Sequence, residues 1–295
     1  MIKKILILGI TGTLGHKIAQ ELIKNKRLII YGTYNQKKKY LRIKTHINIA
    51  KFYRTPDIKS ILSLIKSNKF DYVVNCIGQI KQKKNIKSKY FELNKKLPLA
   101  IAKLSILQNF KMIHFSTDCV FDGKKGNYKE DDFKNAKDYY GISKGEGEPL
   151  QKNNKNCLVL RTSFIGHEIF GSYSLLNWLL NSEIKIYGFN KCLYNGLTNV
   201  EVAKIIHKII INKHFINGLF NLSGRKISKY SLLKIISKVY SLNKKIEKKE
   251  IPEINRTLNN SKFKKFFLYR PKKWNDLIRN LYTDYLLNKS LYNVK

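Results

Sequence analysis

Tyr140 and Lys144 stand four apart in Tyr140-Gly141-Ile142-Ser143-Lys144, so on a helix they share one face. An ammonium beside a phenol favours the phenolate and makes the tyrosine a better acid near neutral pH. Thr117 follows the apolar run Met112-Ile113-His114-Phe115, which reads as a buried strand. A hydroxyl at a strand end can hold a carbonyl oxygen in place for that acid. The set suits protonation of an oxygen while a hydride arrives at its carbon. A Tyr-x-x-x-Lys spacing also arises by chance among 18 tyrosines and abundant lysine, where it is a solvated helix face. Its weight comes from a nucleotide-binding motif earlier in the chain.

Positioning these side chains takes a sheet and its crossover helices. Lys4 to Leu8 reads as a strand that delivers Gly9-Ile10-Thr11-Gly12-Thr13-Leu14-Gly15, a G-x-x-G-x-x-G loop. Lys17 to Lys26 follows with Ile18, Ala19, Leu22 and Ile23 at helical spacing. Strand, glycine loop and helix make the first βα unit of a dinucleotide fold. The glycines let backbone approach a pyrophosphate resting on the helix N-terminus. Leu28 to Thr33 is the second strand. An acidic residue at its end would hold ribose hydroxyls and favour NAD; here Asn35 leads into Lys37-Lys38-Lys39. Those groups suit a 2′-phosphate, hence NADP (NADPH as the reductant), with NAD left open.

Thr55 as N-cap and Pro56 at the first position start a helix whose buried stripe is Ile58, Ile61, Leu62 and Ile65. Phe70 to Gly78 is the next strand and its exit loop, expected to lie over the cofactor. Glu92 to Leu107 reads as a long helix, with a kink or a start near Pro98. Cys157 to Thr162 and Gly218 to Leu222 read as strands. Ser174 to Leu180, Val200 to Ile211 and the segment capped by Ser228 read as helices. The expected fold is α/β: a modified Rossmann, doubly wound parallel sheet over 1–163, with 194–222 returning to it. A smaller C-terminal lobe from 164–193 and 223–295 would hold the substrate.

Composition narrows the classes. The chain has 295 residues, 43% of them hydrophobic, enough for one large domain or two closely joined ones. No apolar run is long enough to cross a bilayer, and the Ile5 to Leu8 stretch runs straight into the glycine motif, so it reads as a strand and not a signal peptide. Four widely spaced cysteines without C-x-x-C and six scattered histidines suggest a reduced cytoplasmic protein with no metal site. The net charge is +38, from 58 basic and 20 acidic residues. Lysine is scattered; only Lys37 to Lys39 and Lys81 to Lys84 cluster, and no nucleic-acid motif accompanies them. No specific nucleic-acid partner is expected, while a positive field would draw in an anionic cofactor or substrate.

Together the motifs resemble those of the extended short-chain dehydrogenase/reductases, and among them the dTDP-4-dehydrorhamnose reductase family. They are Gly9-x-x-Gly12-x-x-Gly15, Ser116-Thr117-Asp118-Cys119-Val120-Phe121-Asp122-Gly123, Tyr140-x-x-x-Lys144 with Gly147-Glu148, and Arg161-Thr162-Ser163. The resemblance spans nearly the whole chain. It implies Thr117, Tyr140 and Lys144 as the catalytic set. It also implies Gly9, Thr11, Gly12, Thr13, Leu14 and Gly15 at the pyrophosphate, Asn35, Cys76, Ile77 and Gly78 toward the adenosine, and Lys144 on the nicotinamide ribose. Lys81, Asp118 and Arg256 are substrate-binding candidates, Arg256 for a diphosphate. The run Asn75 to Gln82, with Ile165-Gly166-His167-Glu168, looks closer to reductases making UDP-linked N-acetylated deoxyhexoses. The implied activity is NADPH-dependent reduction of a nucleotide-linked 4-keto-6-deoxyhexose for surface polysaccharide precursors, with the nucleotide sugar as partner and a homodimer left open. Rivals are an epimerase or 4,6-dehydratase of the superfamily, or a non-catalytic NADP-binding regulatory subunit. Cys119 after Asp118 removes the second carboxylate a dehydratase of this fold would use.

Overall fold

A computed structural model describes residues 2–82, 86–149, 154–212 and 214–292. Its centre is a parallel sheet of β1 (Lys3–Leu8), β2 (Leu28–Tyr34), β3 (Lys51–Arg54), β4 (Tyr72–Asn75), β5 (Lys111–Ser116), β6 (Cys157–Arg161) and β11 (Gly218–Asn221). The order across the sheet is β11-β6-β5-β4-β1-β2-β3, so the chain reverses direction of travel between β1 and β4. Strands buried on both faces need near-continuous apolar runs, which Ile5 to Leu8 and Met112 to Phe115 supply. Alternate residues feed opposite layers. Ile5, Ile7, Ile113 and Leu160 pack toward α1 (Gly15–Leu22) and α8 (Asn199–Ile211). Leu6, Leu8, Val73 and Met112 pack toward α3 (Ile58–Lys66) and α5 (Leu97–Gln108). Each fully buried Leu or Ile contributes about 1.5–3 kcal/mol.

The remaining strands are short. β7 (Phe164–Ile165) pairs with β10 (Leu197–Thr198), and β8 (Lys185–Phe189) runs parallel to β13 (Lys245–Lys249). β9 (Cys192–Tyr194) lies between β12 (Ile227–Ser228) and β14 (Ile254–Asn255). α7 (Leu175–Asn181), α9 (Lys229–Val239), α10 (Ser261–Phe267) and α11 (Trp274–Leu287) complete this region, with Ser174 and Ser228 capping α7 and α9. α2 (Lys37–Lys44) covers the lysine run and buries only Ile43. Among the described residues no helix is long and apolar enough to cross a membrane, and no cluster of metal-ligating side chains occurs.

Two local expectations are corrected. The cap of α3 is Asp57, not Thr55. Asp57 Oδ1 accepts from Ser60 N at 2.7 Å, and the Asp57 amide donates to Ser60 Oγ at 3.3 Å, a reciprocal box. Thr55 still belongs to the sheet edge, its amide donating to Tyr34 O at 2.8 Å. The long helix begins earlier than Glu92, at α4 (Lys87–Phe91), and widens into a π-helical turn over Glu92–Lys96 before α5. The Leu97 amide reaches back to Glu92 O, and Pro98 has no amide to offer the Asn94 carbonyl.

Candidate active site

The carboxyl ends of β1, β4 and β5 open on one cleft of about 430 Å³. Gly9 begins the loop after β1, where its amide donates to Thr33 Oγ1 at 3.0 Å. A Cβ on Gly15 would stand 2.3 Å from Gly9 O, so only glycine lets α1 start this close to the strand. Thr11, Gly12, Thr13 and Leu14 line the cleft, while Gly9 and Gly15 shape the turn behind them. Bare backbone at a helix N-terminus, with Lys39 on the adjacent wall, fits the phosphates of a dinucleotide.

The opposite wall carries Thr117, Tyr140 and Lys144. Asp138 caps α6 (Tyr139–Glu146), accepting from Gly141 N at 2.9 Å, and Lys81 Nζ bridges to its carboxylate at 2.8 Å. Burial would raise the Asp138 pKa, but those two contacts hold it below the usual range. A Cβ on Gly141 would meet Cys119 O at 2.2 Å, so the glycine lets α6 lie on the turn after β5. That approach brings Tyr140 and Thr117 together on the lining of the cleft. Thr117 Oγ1 donates to Asp118 Oδ1 at 3.1 Å and accepts from Cys119 N at 3.2 Å.

Lys144, one turn along α6, is buried and donates to Phe115 O at 2.6 Å. Burial lowers its pKa from 10.5 to about 8, with the Glu148 charge opposing. The phenol of Tyr140 stands above its ordinary 10: burial raises it most, the Cys119 and Asp118 side adds to this, and the Thr117 bond opposes. The expected depression of Tyr140 by Lys144 is therefore not found: burial holds the phenol above its ordinary value. The ammonium is spent on the strand carbonyl, and desolvation of the phenolate dominates. Asp118 is raised by burial, against the Thr117 bond and the Arg256 charge.

Asn94, in the π-helical turn, ties the walls together. Its Oδ1 accepts from Gln79 N at 2.8 Å, and its Nδ2 donates to Gln79 O at 3.2 Å and to Ser143 Oγ at 3.1 Å. The exit loop of β4 is thereby fixed against α6. Of the residues singled out from sequence, Cys76, Ile77, Gly78, Lys81, Thr117, Asp118, Tyr140 and Lys144 line the cleft with the glycine loop. Asn35 is exposed and not among the lining residues; Lys39 is. Arg256 also lies outside the lining, its Nε donating to Phe121 O at 2.9 Å and Nη2 to Asp122 O at 3.3 Å. It braces the turn after β5. Lys83 and Lys84 lie outside the described residues. Sequence reasoning missed the wall formed by Phe164, Glu168, Phe170 and Tyr173. The run Ile165 to Glu168 was its only signal.

A glycine loop at the end of β1, facing a Tyr-x-x-x-Lys helix beside a strand-end threonine in a doubly wound parallel sheet, defines an extended short-chain dehydrogenase/reductase. The profile described as the RmlD substrate binding domain matches residues 3–287, and the chain belongs to this family of dTDP-4-dehydrorhamnose reductase-like proteins. A dTDP-4-dehydrorhamnose reductase of Aggregatibacter actinomycetemcomitans is 25% identical over 306 residues, covering 94% of this chain and 98% of that protein. Methionine adenosyltransferase 2 subunit beta of Xenopus laevis is 22% identical, over 81% of this chain and 73% of its own. The solved structure of the dTDP-4-dehydrorhamnose reductase of Bacillus anthracis, in complex with NADP, superposes with a TM-score of 0.78 at 17% identity, covering 96% of this chain and all of that one.

Proposed function

We propose that this protein reduces the 4-keto group of a nucleotide-linked 4-keto-6-deoxyhexose with NADPH. The observation that carries the reading is the meeting of Thr117, Tyr140 and Lys144 with the glycine loop across one cleft. Bound NADPH would supply a hydride to C4 of the sugar. Tyr140 gives its proton to the developing oxyanion, which becomes the product hydroxyl. Burial keeps that phenol protonated until the oxygen needs it. Thr117 orients the carbonyl oxygen. Lys144 offers a positive charge beneath the site and a donor for the nicotinamide ribose. Thr11, Gly12, Thr13 and Leu14 hold the pyrophosphate, and Lys39 meets the 2′-phosphate. Lys81 and Asp118 face the sugar side, and the small sheets beyond residue 163 form the substrate lobe. The enzyme would work in the cytoplasm, where NADPH and nucleotide sugars are made.

A regulatory role is the second reading, favoured by the similarity to a methionine adenosyltransferase subunit. Incubation with NADPH and a panel of dTDP- and UDP-linked 4-keto-6-deoxyhexoses separates the two. Consumption of NADPH with formation of the 4-hydroxy sugar supports the reductase. Tight NADPH binding with no turnover on any of the panel would favour the regulatory role.

A further inference from the structure

The glycine loop is held from behind by a hydrogen-bond relay that ends on a residue remote in sequence. His16 directly follows Gly15 and is fully buried. Burial, aided by the Lys17 charge, drops its imidazole pKa to about 3, so the ring is neutral. Its Nδ1 stands 2.8 Å from Gly12 O. A carbonyl only accepts, so Nδ1 carries the proton and Nε2 is the acceptor. Nε2 lies 3.1 Å from the Tyr292 hydroxyl, which therefore donates to it. The direction of the relay is fixed: Tyr292 O–H to His16 Nε2, then His16 Nδ1–H to Gly12 O. Asp284, beside Tyr292, is engaged by Lys17 Nζ at 2.7 Å.

Tyr292 directly follows a helical turn, Lys289–Leu291, which Arg42 of α2 and His46 just beyond that helix grip from outside. Arg42 Nε donates to Leu291 O at 2.9 Å and Nη2 to Ser290 O at 3.4 Å, and His46 Nε2 lies 3.1 Å from Ser290 Oγ. On the other side the Tyr292 ring is 4.9 Å from that of His167. His167 precedes Glu168, which belongs to the wall with Phe164, Phe170 and Tyr173. Tyr292 thus lies behind the glycine loop and beside the residue that leads into that wall.

We propose that Tyr292 is a positioning residue for cofactor binding: through His16 it ties the Gly12 carbonyl back into the protein. A carbonyl oxygen turned toward the cleft would repel phosphate oxygens; the His16 amide holds Gly12 O at 3.2 Å as the helix begins, and the relay adds the shorter second bond that keeps the loop in its anion-accepting shape. This rests on the reading of that loop as the pyrophosphate seat.

The test titrates the purified full chain with NADPH and with adenosine 2′-monophosphate, which lacks a pyrophosphate. Tyr292→Phe keeps the ring and removes the donor. It should raise the Kd and KM for NADPH about three- to ten-fold, the worth of one hydrogen bond, leaving kcat and adenosine 2′-monophosphate binding unchanged. His16→Phe keeps a buried ring, removes both bonds, and should show the same selective loss. Tyr285→Phe is the control: its ring stacks 4.6 Å from that of His167, and its hydroxyl is outside the relay. It should leave both ligands unaffected. Wild-type NADPH affinity in Tyr292→Phe and His16→Phe overturns the proposal. So does equal weakening of both ligands, which marks general loosening. A wild-type chain that binds no NADPH overturns the cofactor reading itself, and the tether with it.

Discussion

Arg161 and Glu148 form a two-pronged ion pair behind the strand end that carries Thr117, with Nε to Oε1 at 2.7 Å and Nη2 to Oε2 at 2.8 Å. Ser116 Oγ adds a bond to Oε1 at 2.7 Å, and Arg161 Nη1 donates to Glu130 O at 3.0 Å. The pair joins the exit of α6 to β6 and fixes the helix that carries Tyr140 and Lys144 relative to the sheet. Burial alone would raise the Glu148 carboxyl, but the Arg161 bonds and charge hold it below its ordinary value. Removing one partner of such a pair strands the other's charge. Arg161→Met should cost roughly 3–5 kcal/mol, read as a lower midpoint of urea unfolding. Because the folded pKa of Glu148 is depressed, its stabilisation is present above the ordinary value of 4.5 and fades as pH falls. Glu148→Gln should flatten that acid limb. Wild-type stability in Arg161→Met would remove the claim.

The parts of this site that were legible in the sequence are those whose signal is local. A strand, three glycines and an apolar helical stripe lie within the first two dozen residues, and Tyr140 and Lys144 lie within one turn of helix. What the sequence hid depends on contacts between distant segments. Glu148 and Arg161 fall in separate motifs, and nothing in their spacing says that they pair. The His16–Tyr292 bond joins residues 276 apart. β8 and β13 pair in parallel across some sixty residues, and β13, Lys245-Ile246-Glu247-Lys248-Lys249, is mostly charged where a strand signal would be apolar. α2 was read only as a basic run because Ile43 alone is buried, too little for a periodic stripe. Thr55 and Asp57 both suit an N-cap by type, and the sheet bond of Thr55 decided between them.

Lys144 sets an expected pH dependence. Its charge is lost as pH rises through about 8, because burial lowers its pKa. Tyr140 is displaced upward and is still protonated there. If the ammonium is needed, kcat/KM should fall above about pH 8. The fall is not unfolding driven by this group. Between about 8 and 10.5 the unfolded chain holds the lysine proton more tightly, so its contribution to stability improves with pH. Lys144→Arg should move the limb upward, whatever its absolute rate. A flat profile to pH 10 in the wild type would refute the requirement for charge.

Cofactor preference should reside in Lys39. It lines the cleft and lies 5.6 Å from the Phe170 ring centroid, whereas Asn35, Lys37 and Lys38 are exposed outside it. Lys39→Ala should weaken NADPH about ten-fold, the worth of one charge-assisted contact, and leave NADH nearly unchanged. Lys37→Ala and Lys38→Ala should do little. Equal affinity of the wild type for NADPH and NADH, measured by titration, would remove the 2′-phosphate argument.

Tyr140 and its neighbour Tyr139 offer the sharpest test of the chemistry. Both sit in the first turn of α6, but Tyr140 faces Thr117 within the cleft while Tyr139 is 50% exposed. Tyr140→Phe removes one hydroxyl and keeps the ring, so fold and NADPH binding should survive. Reduction should fall by roughly two to four powers of ten, the usual worth of a positioned proton donor. Lys144→Ala should impair both rate and cofactor affinity, because it removes the buried positive charge of the cleft and the donor proposed for the ribose. Tyr139→Phe should remain active, its ring lying outside the cleft and 5.4 Å from Lys87 Nζ. An inactive Tyr139→Phe beside an active Tyr140→Phe would mean that the acid is the exposed tyrosine. Full activity in both would mean that neither is the acid, and the proton would have to come from another group lining the cleft, Asp118 first among them, since burial favours its protonated form.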